Sequence, residues 1–391
     1  MTDIRVLFYV QHLLGIGHLR RAATLARAMS ADGLAVTLVS GGHELPGLDL
    51  GGVDLIQLPA TRATDLFFKV LVDENENVID DDWRARRAEQ FLRIWTDLAP
   101  QILMFELFPF GRRQMRFEIL PVLEAAKAAD RRPVVVSSVR DILVAQSKPG
   151  RNDEMLDLVE TYFDHVLVHG DPSFVALDET FPHAARIGDR VTYTGYVVDE
   201  SGMAKARSKA DSVSGDAEVL VSAGGGAVGL NLLETALTAR PLSAARERPW
   251  RVLVGIKVDD ADFHRLAAAA GAPNVVVERA RPDFPALLAG ASLSISQGGY
   301  NTVMEALAAG CRAVVVPYAG GVETEQTLRA KRLAERTPLE IIAESDLTPE
   351  RLADAVDRAL AAPPLAAGVV DMNGAATTVS LIRKWANEAG C

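Results

Sequence analysis

The sequence predicts an α/β protein with two doubly wound, Rossmann-like domains that face each other across a cleft. Its 391 residues exceed what one hydrophobic core usually holds, so two domains of roughly 150 to 200 residues each are expected. In both halves, short runs of Val, Ile and Leu alternate with amphipathic helical stretches, the pattern of buried parallel strands with helical crossovers. A polar segment with few large apolar residues separates the halves and is typical of a linker.

The expected elements fall into two series. First-half strands are predicted at residues 5–10, 35–40, 53–58, 102–106, 133–139 and 165–169, with helices at 19–31 and 113–129. Second-half strands are predicted at residues 218–222, 251–255, 274–278, 293–296 and 313–316. The chain then divides into an N-terminal domain (1–198), a linker (199–216) and a C-terminal domain (217–374). The last segment, 375–391, is helical in pattern and either completes the second domain or packs back on the first.

The composition excludes several classes of protein. The 52 acidic and 41 basic residues give a net charge of -11, which repels a phosphate backbone, so nucleic acid is not an expected partner. Cys311 and Cys391 form neither a disulfide framework nor a zinc-ligand spacing, which predicts a cytoplasmic location. The apolar run 4–10 is too short for a signal peptide, and the uncharged stretch 286–304 contains Ser, Gln and Asn, so no membrane span is predicted.

The first strand is followed by a glycine turn that ends in a histidine, Gly15-Ile16-Gly17-His18. Open parallel sheets bind ligands at the carboxyl ends of their strands, where helix N-termini point amide hydrogens outwards. His18 is therefore expected at the ligand-binding edge, either as a catalytic base or as a hydrogen-bonding residue of the helix start. The spacing lacks the third glycine of the dinucleotide fingerprint, which argues against an oxidoreductase.

Two glycine-rich loops follow strands of the second half. Gly224, Gly225 and Gly226 lie between a strand and a helix predicted to begin near Leu230, and consecutive glycines let backbone amides approach a diphosphate. A tight strand-to-helix turn is the alternative interpretation. The run 296–310 repeats the arrangement with a second glycine pair.

The second glycine loop carries polar residues at helix-start positions. Gly298 and Gly299 follow Gln297, and either Asn301 or Thr302 is expected to cap the helix. Glu305 falls about one turn into this helix, where its carboxylate could accept two ribose hydroxyls or simply be solvated. After the next strand, Glu325 and Gln326 offer acceptors and donors suited to sugar hydroxyls, although each is also an ordinary first-turn residue.

In this order the motifs resemble those of GT-B glycosyltransferases of the MurG type (family 28) and of the UDP-glycosyltransferases, over nearly the whole chain. The resemblance implies GT-B architecture, with an acceptor-binding N-terminal domain and a nucleotide-sugar-binding C-terminal domain. No further cofactor is implied beyond a nucleotide-diphosphate sugar, with UDP-sugar as the expected co-substrate. The implied donor-site residues are Gly224, Gly225, Gly226, Gln297, Gly298, Gly299, Asn301, Thr302, Glu305, Glu325 and Gln326.

The sequence also departs from the family pattern. Gln297 stands where many UDP-glycosyltransferases carry a histidine, and a glutamine supplies no charge to a phosphate. Glu325 replaces an aspartate that contacts the donor sugar, so the sugar preference of the family does not carry over. The tryptophan signature that stacks on uracil is not recognisable, and residues 279–284 occupy roughly that region.

In the N-terminal half the resemblance implies a catalytic dyad. His18 matches the histidine that acts as base or orients the acceptor, and Glu106 resembles the aspartate that partners it. Gly15 and Gly17 then lie on the acceptor side. A carboxylate on one imidazole nitrogen fixes the tautomer and stabilises the imidazolium that forms when the ring takes a proton.

These residues predict an inverting hexosyltransferase that needs no metal, because glycine-loop amides and helix N-termini can stabilise the leaving diphosphate. The acidic runs 80–82 and 259–262 are interpreted as solvated loop charges rather than metal ligands. A nucleotide-sugar 2-epimerase of the same fold and a non-catalytic nucleotide-sugar-binding protein are the rival hypotheses.

The acceptor is left open between a small molecule, a glycan and a lipid-linked sugar. Residues 108–117 mix Phe with Arg, which indicates either weak contact with the inner face of an anionic membrane or a helix start with Phe in the core. Residues 62–82 are expected to form a long, irregular acceptor loop.

Overall fold

The computed structural model describes residues 4–65, 68–144, 150–199, 217–224, 229–318, 320, 324–366 and 368–389. The chain divides into two compact units: the first combines Met1–Val197 with Asp371–Cys391, and the second is Val198–Val370. All but Asp199 of the predicted linker lies outside the described residues.

The first unit contains a seven-stranded parallel sheet with the order β3-β2-β1-β6-β7-β8-β9. Its strands are β1 (Arg5–Val10), β2 (Ala35–Ser40), β3 (Asp54–Gln57), β6 (Ile102–Glu106), β7 (Val134–Arg140), β8 (His165–His169) and β9 (Val191–Tyr193), and a separate antiparallel pair is formed by β4 (Arg62–Ala63) and β5 (Leu71–Val72). Its helices are α1 (Gly17–Ala31), α2 (Asp81–Leu98), α3 (Arg116–Ala128), α4 (Arg151–Tyr162) and α11 (Gly374–Glu388), with shorter 3-10 turns at Arg113–Met115, Leu177–Glu179 and Ala184–Arg190.

Both faces of this sheet are buried, as doubly wound topology requires. Along β1, Leu7 and Tyr9 enter one hydrophobic core, whereas Val6, Phe8 and Val10 enter the other. Because side chains alternate between the two faces of a strand, a strand covered on both sides must be apolar throughout. This explains why the buried strands appear in the sequence as continuous Val, Ile and Leu runs.

The C-terminal helix α11 belongs to the first unit. Ile382, Trp385 and Ala386 lie in the same hydrophobic core as Leu19 and Leu25 of α1. Asp371 anchors the returning chain, since its carbonyl oxygen accepts from the amide of Tyr196 at 2.7 Å. Of the two interpretations of the last segment, the structure therefore shows packing on the N-terminal sheet.

The second unit contains a six-stranded parallel sheet with the order β12-β11-β10-β13-β14-β15. Its strands are β10 (Val219–Ser222), β11 (Trp250–Val254), β12 (Val275–Arg279), β13 (Leu293–Ser296), β14 (Arg312–Val315) and β15 (Glu340–Ile341). Its helices are α5 (Leu230–Ala239), α6 (Asp260–Ala269), α7 (Phe284–Gly290), α8 (Tyr300–Ala309), α9 (Glu325–Ala334) and α10 (Pro349–Ala361), with 3-10 turns at Arg240–Leu242, Ala244–Glu247 and Glu344–Asp346.

The predicted fold class is confirmed, and the eleven strands expected from the sequence are present within one or two residues. The short edge strands β9 and β15 were missed because two or three residues carry no periodicity. The expectation of an irregular loop over 62–82 is wrong for the described part: β4 pairs with β5, and α2 begins at Asp81.

A fully buried ion pair joins helices α2 and α3 near the carboxyl ends of the first strands. Arg87 of α2 binds both carboxylate oxygens of Glu118 of α3, with Nε–Oε2 at 2.6 Å and Nη2–Oε1 at 3.0 Å. Its guanidinium also donates to the carbonyl of Pro59 at 2.6 Å and to the side chain of Gln11 at 2.6 Å. Tyr9 donates to the same carboxylate, and burial beside this charge raises the pKa of Tyr9.

We predict that replacing Glu118 with leucine lowers the free energy of unfolding by about 3–5 kcal/mol, because it leaves the Arg87 charge buried and uncompensated. Chemical denaturation of the full chain measures this. The control is Glu89→Ala in the exposed pair with Arg93 of the same helix, for which a change of about 1 kcal/mol or less is expected. Equal losses in the two variants would contradict the assigned role of the buried pair.

Candidate functional site

In the first unit, the candidate residues gather at the carboxyl ends of adjacent parallel strands. His18 is the second residue of α1, directly after the loop that follows β1, and Glu106 is the last residue of the neighbouring strand β6. His18 Nδ1 lies 2.9 Å from Glu106 Oε1. The structure therefore brings together the two residues that the sequence suggested as a dyad, 88 positions apart.

The carboxylate of Glu106 is fully buried and shared. Its Oε1 also accepts from the buried guanidinium of Arg21, one turn after His18 on α1, and its Oε2 accepts from Ser138 Oγ at 2.8 Å. Burial alone would raise the pKa of Glu106, but the Arg21 charge and the His18 hydrogen bond outweigh burial and lower the pKa to about 2. Glu106 is therefore ionised and can only accept hydrogen bonds.

His18 is neutral in this environment. Burial and the nearby Arg112 charge lower the pKa of His18 to about 3, although Glu106 acts in the opposite direction. Because the carboxylate of Glu106 only accepts, the single ring proton lies on Nδ1, and Nε2 carries the lone pair. The side chain is 15% exposed, so the ring is not sealed within the core. A neutral imidazole held in this tautomer has the form that a general base requires.

The glycine turn before His18 is open at its tip and anchored at its base. Gly15 is exposed, with no atom within 4 Å of the position that a side-chain β-carbon would take. Gly17 is the first residue of α1, whose N-cap Ile16 provides no side-chain hydrogen bond. At the base of the loop, Arg112 Nε donates to the carbonyl of Gln11 at 2.5 Å.

In the second unit, three glycines of the two glycine loops adopt conformations that side chains rarely take. Gly224, Gly229 and Gly298 have φ values of 80°, 94° and 81°. A β-carbon on Gly298 would lie 2.5 Å from Val315 Cγ1, and one on Gly229 would lie 2.9 Å from Gln297 Cδ. The two glycine loops therefore approach each other through Gln297, which is 7% exposed. Gly225 and Gly226 lie outside the described residues.

The helix after the second glycine loop begins at Tyr300, two residues earlier than capping by Asn301 would require. Gly299 is the N-cap of α8 and makes no side-chain cap hydrogen bond, so the expectation that Asn301 or Thr302 caps this helix is wrong. Both residues occupy the first turn and are partly buried. Glu305 lies in the second turn and is 8% exposed, so the alternative of a solvated surface glutamate is also excluded.

Glu325 and Gln326 begin α9 and already have partners within the unit. Glu325 Oε1 accepts from the fully buried Arg329 at 2.6 Å, and the Arg329 guanidinium lies 5.3 Å from the ring centre of Tyr300. Gln326 Oε1 accepts from the amide of Tyr318 at 3.0 Å, which fixes the loop at the end of β14. Arg329 was missed in the sequence, although its i,i+4 spacing from Glu325 is a recognisable helical pair.

The remaining charged motifs have structural roles. Asp80 and Asp259 are side-chain N-caps of α2 and α6, accepting from Trp83 N at 2.7 Å and Asp262 N at 2.8 Å, so both acidic runs are helix starts rather than loop charges. In the part of the chain that the structure describes, no cluster of three His, Cys, Asp or Glu side chains could hold a metal.

The segment 108–117 places its aromatic residues inside the first unit. Phe108 and Phe110 are buried, and Arg113 and Arg116 both pair with Glu154. The core interpretation is therefore correct for Phe108 and Phe110, and Phe117 is partly buried against the same core. No helix formed by described residues has the length and apolarity needed to cross a membrane.

We predict opposite outcomes for the two adjacent glycines of the second loop. Gly298→Ala should destabilise the protein by roughly 1–3 kcal/mol, because the new methyl group meets Val315 and the backbone has φ near 81°. Gly299→Ala should change stability by less than about 1 kcal/mol, since φ is −59° and no atom lies within 4 Å of the added carbon. Thermal unfolding of both variants measures this, and equal stability would contradict the close approach at Gly298.

We also predict that the first unit loses stability as the pH falls below 6.5. Burial lowers the pKa of both His18 and His169 to about 3, so between these values the unfolded chain binds protons that the folded chain does not. Each histidine contributes a slope of about 1.4 kcal/mol per pH unit. Unfolding measured from pH 7 to pH 4.5 should be less steep in His169→Gln; an unchanged slope would show that His169 is not buried in its neutral form.

Comparison with known proteins supports this description. Residues 220–377 match the family model of the glycosyltransferase family 28 C-terminal domain. A relative from Brucella anthropi, named UDP-N-acetylglucosamine--N-acetylmuramyl-(pentapeptide) pyrophosphoryl-undecaprenol N-acetylglucosamine transferase, is 30% identical over 179 residues, which are 45% of this chain and 47% of the relative. The chain spans about half, or less, of the length of the curated relatives it matches.

Two solved structures cover nearly the whole chain. Acinetobacter baumannii MurG aligns with a TM-score of 0.55 at 16% identity, over 98% of this chain and 100% of that one. Arabidopsis thaliana UGT89C1 complexed with UDP aligns with a TM-score of 0.63 at 13% identity, over 98% and 94%. The resemblance found in the sequence is thus confirmed: the chain has the GT-B fold, and its residues 220–377 match the glycosyltransferase family 28 C-terminal domain.

Proposed function

We propose that this protein is an inverting glycosyltransferase that moves a sugar from a nucleotide-diphosphate sugar to an acceptor hydroxyl without a required metal. The observation that carries the proposal is the neutral His18, held through Nδ1 by the buried carboxylate of Glu106. The match of residues 220–377 to a glycosyltransferase domain supports the donor half of the proposal.

His18 is the proposed general base. Its Nε2 lone pair removes the proton from the acceptor hydroxyl, and Glu106 stabilises the imidazolium that results. The acceptor oxygen forms a bond to the anomeric carbon as the bond from that carbon to the diphosphate oxygen breaks. Attack from the face opposite the leaving group inverts the anomeric centre, and the nucleoside diphosphate leaves with the bonding electrons.

The second unit is the proposed donor site. The amides at the start of α8, together with Gly224, Gly298 and Gly299, would hold the diphosphate at a positive helix end. Gly225 and Gly226, which lie outside the described residues, belong to the same proposed loop. The buried Glu305 would accept the ribose hydroxyls.

Among the remaining proposed donor residues, Gln326 is favoured for the sugar over Glu325, because Arg329 already neutralises the Glu325 carboxylate. Gln297, Asn301 and Thr302 would add neutral hydrogen bonds to the phosphates. Gly15 leaves open space on the proposed acceptor side of His18, and Gly17 belongs to the same proposed acceptor side.

UDP-sugar is the proposed donor, since the name of the Brucella anthropi relative specifies UDP-N-acetylglucosamine and one structural neighbour is complexed with UDP. That relative's name also specifies a lipid-linked acceptor, which makes lipid-linked sugars the first acceptors to test beside glycans and small molecules. A nucleotide-sugar donor agrees with the cytoplasmic location expected from the cysteine content.

The donor half is tested by thermal unfolding with UDP, TDP, GDP and NAD in turn. A ligand at about 100 times its dissociation constant stabilises the folded state by roughly 2.7 kcal/mol. We expect stabilisation by UDP and none by NAD. If no nucleotide stabilises the folded protein, the proposed donor site is wrong.

The catalytic half is tested by His18→Ala, measured as UDP release from UDP-N-acetylglucosamine with lipid-linked, glycan and small-molecule acceptors. We expect kcat to fall by roughly 10²- to 10⁴-fold while stabilisation by UDP is retained. Because the pKa of His18 is lowered to about 3, the acid limb of the pH–rate profile of the unmodified protein should lie well below 6.5. The control is His264→Ala, at an exposed position of α6.

Three outcomes oppose the catalytic proposal. Equal activity in His18→Ala and the unmodified protein would remove His18 as the base. UDP binding with no transfer to any acceptor class would favour a non-catalytic binding protein. Conversion of the donor into its 2-epimer without an acceptor would favour the epimerase.

A further inference from the structure

A row of buried polar side chains continues from Glu106 across the sheet, away from His18. Ser138 Oγ lies 2.8 Å from Glu106 Oε2 and 2.9 Å from His169 Nε2, and His169 Nδ1 lies 2.8 Å from Thr194 Oγ1. All four side chains are at most 1% exposed. They lie at the carboxyl ends of four adjacent strands, β6 to β9, and Glu106 is the direct register partner of Ser138.

The direction of each hydrogen bond in this row follows from chemistry. Glu106 is ionised, so the one hydroxyl proton of Ser138 must point to it. Ser138 can then only accept from His169, which places the His169 ring proton on Nε2. His169 is neutral, because burial lowers its pKa to about 3, and its bare Nδ1 accepts from Thr194. The ring proton of His169 and the hydroxyl proton of Ser138 therefore both point towards Glu106.

We propose that Ser138 and His169 are positioning residues, which hold the Glu106 carboxylate in the rotamer that presents Oε1 to His18. As a statement about catalysis, this inference rests on the proposed function. Neither residue reaches the position of a reacting atom, since each acts through Glu106. They are distinct from the dyad that the sequence motifs indicated.

The charges around Glu106 explain why its other oxygen must be held. Two side chains of α1, His18 and Arg21, both hydrogen-bond to Oε1 of Glu106. The nearby Arg112 charge also lowers the pKa of His18. Without Ser138, the buried Oε2 loses its donor, and the carboxylate can rotate to give both oxygens to Arg21 in the bidentate geometry that arginine prefers. His18 would then lose the acceptor that fixes its tautomer.

The test is the ring tautomer of His18 in the full chain, read from nitrogen chemical shifts after labelling the seven histidines. The His18 signals are assigned with His18→Gln. At pH 7 we expect His18 protonated on Nδ1 in the unmodified protein and a mixture of both tautomers in Ser138→Ala. Ser138→Thr keeps the hydroxyl on a residue suited to strands and should restore the Nδ1–H form.

The matched control is Ser137→Ala. Ser137 is the neighbouring residue of β7, is equally buried, and donates to the carbonyl of Phe108 at 2.8 Å. This variant also loses a buried hydroxyl, but it should leave the His18 tautomer unchanged. A folded Ser138→Ala protein with His18 still wholly protonated on Nδ1 would overturn the proposal.

A second pair of variants keeps the test decisive if Ser138→Ala does not fold. His169→Gln retains a donor that can reach Ser138 and should keep His18 protonated on Nδ1. His169→Leu removes this donor and should give a mixture of both His18 tautomers. Identical His18 tautomers in these two variants would overturn the role of His169.

Kinetics separate this inference from the proposed function. If transfer activity is found, Ser138→Ala should lower kcat by roughly 10- to 100-fold, as removal of a partner that orients a histidine does, with donor KM unchanged. A rise in donor KM at unchanged kcat would contradict positioning. If no transfer is found while the tautomer changes as expected, the proposed function fails and the positioning of His18 stands.

Discussion

The buried carboxylate of Glu106 is the constraint on which the first unit's candidate site depends. A carboxylate taken out of water is costly unless it is paired and hydrogen-bonded, so the surrounding elements must supply donors. Helix α1 supplies His18 and Arg21, and β7 supplies Ser138. Because Arg21 brings the compensating charge, His18 can stay neutral and still bind the carboxylate. The buried ion pair therefore leaves the imidazole available as a base.

The second unit also buries a carboxylate, but its charges are distributed differently. Its buried carboxylate at the start of α9, Glu325, is neutralised by Arg329 of the same helix. At the start of α8, by contrast, backbone amides are left without a side-chain cap, and Gly298 brings the chain close to Val315. A carboxylate, Glu325, already lies in the first turn of α9, whereas no acidic side chain lies in the first turn of α8. This asymmetry favours the α8 loop over α9 as the proposed place for a diphosphate.

Much of the fold could be predicted because its strands are buried on both faces. Continuous apolar runs located the central strands to within a residue or two, and polar glycine loops marked their carboxyl ends. The short edge strands and the β4–β5 pair carry too few residues for any period to show. The cap of α8 was misassigned because Asn and Thr are strong N-cap residues, yet the chain turns into the helix one residue before them.

The residues that hold the dyad in place were harder to predict from the sequence, because only the folded structure brings them next to Glu106. Arg21 lies at i+3 from His18, a helical spacing that places both on one face, but nothing local shows that Glu106 lies opposite. Ser138 and His169 are single polar residues near the ends of apolar strands, and only the register of the parallel sheet aligns them with Glu106. The sequence motifs indicated the proposed ligand-contacting residues, whereas the partners that hold those residues depend on strand order.

The loop after β1 shows how rigidity and access are combined at this edge. Its first residue, Gln11, is held from two sides, by Arg87 on the side chain and by Arg112 on the carbonyl. The tip at Gly15 has open space around it, four residues further on. Arg87 and Arg112 therefore fix the loop where it leaves the sheet, and the glycine keeps side chains away from the approach to His18. The proposed base would need both conditions to meet an acceptor in a defined geometry, because a mobile loop would lose orientation and a filled loop would exclude the acceptor.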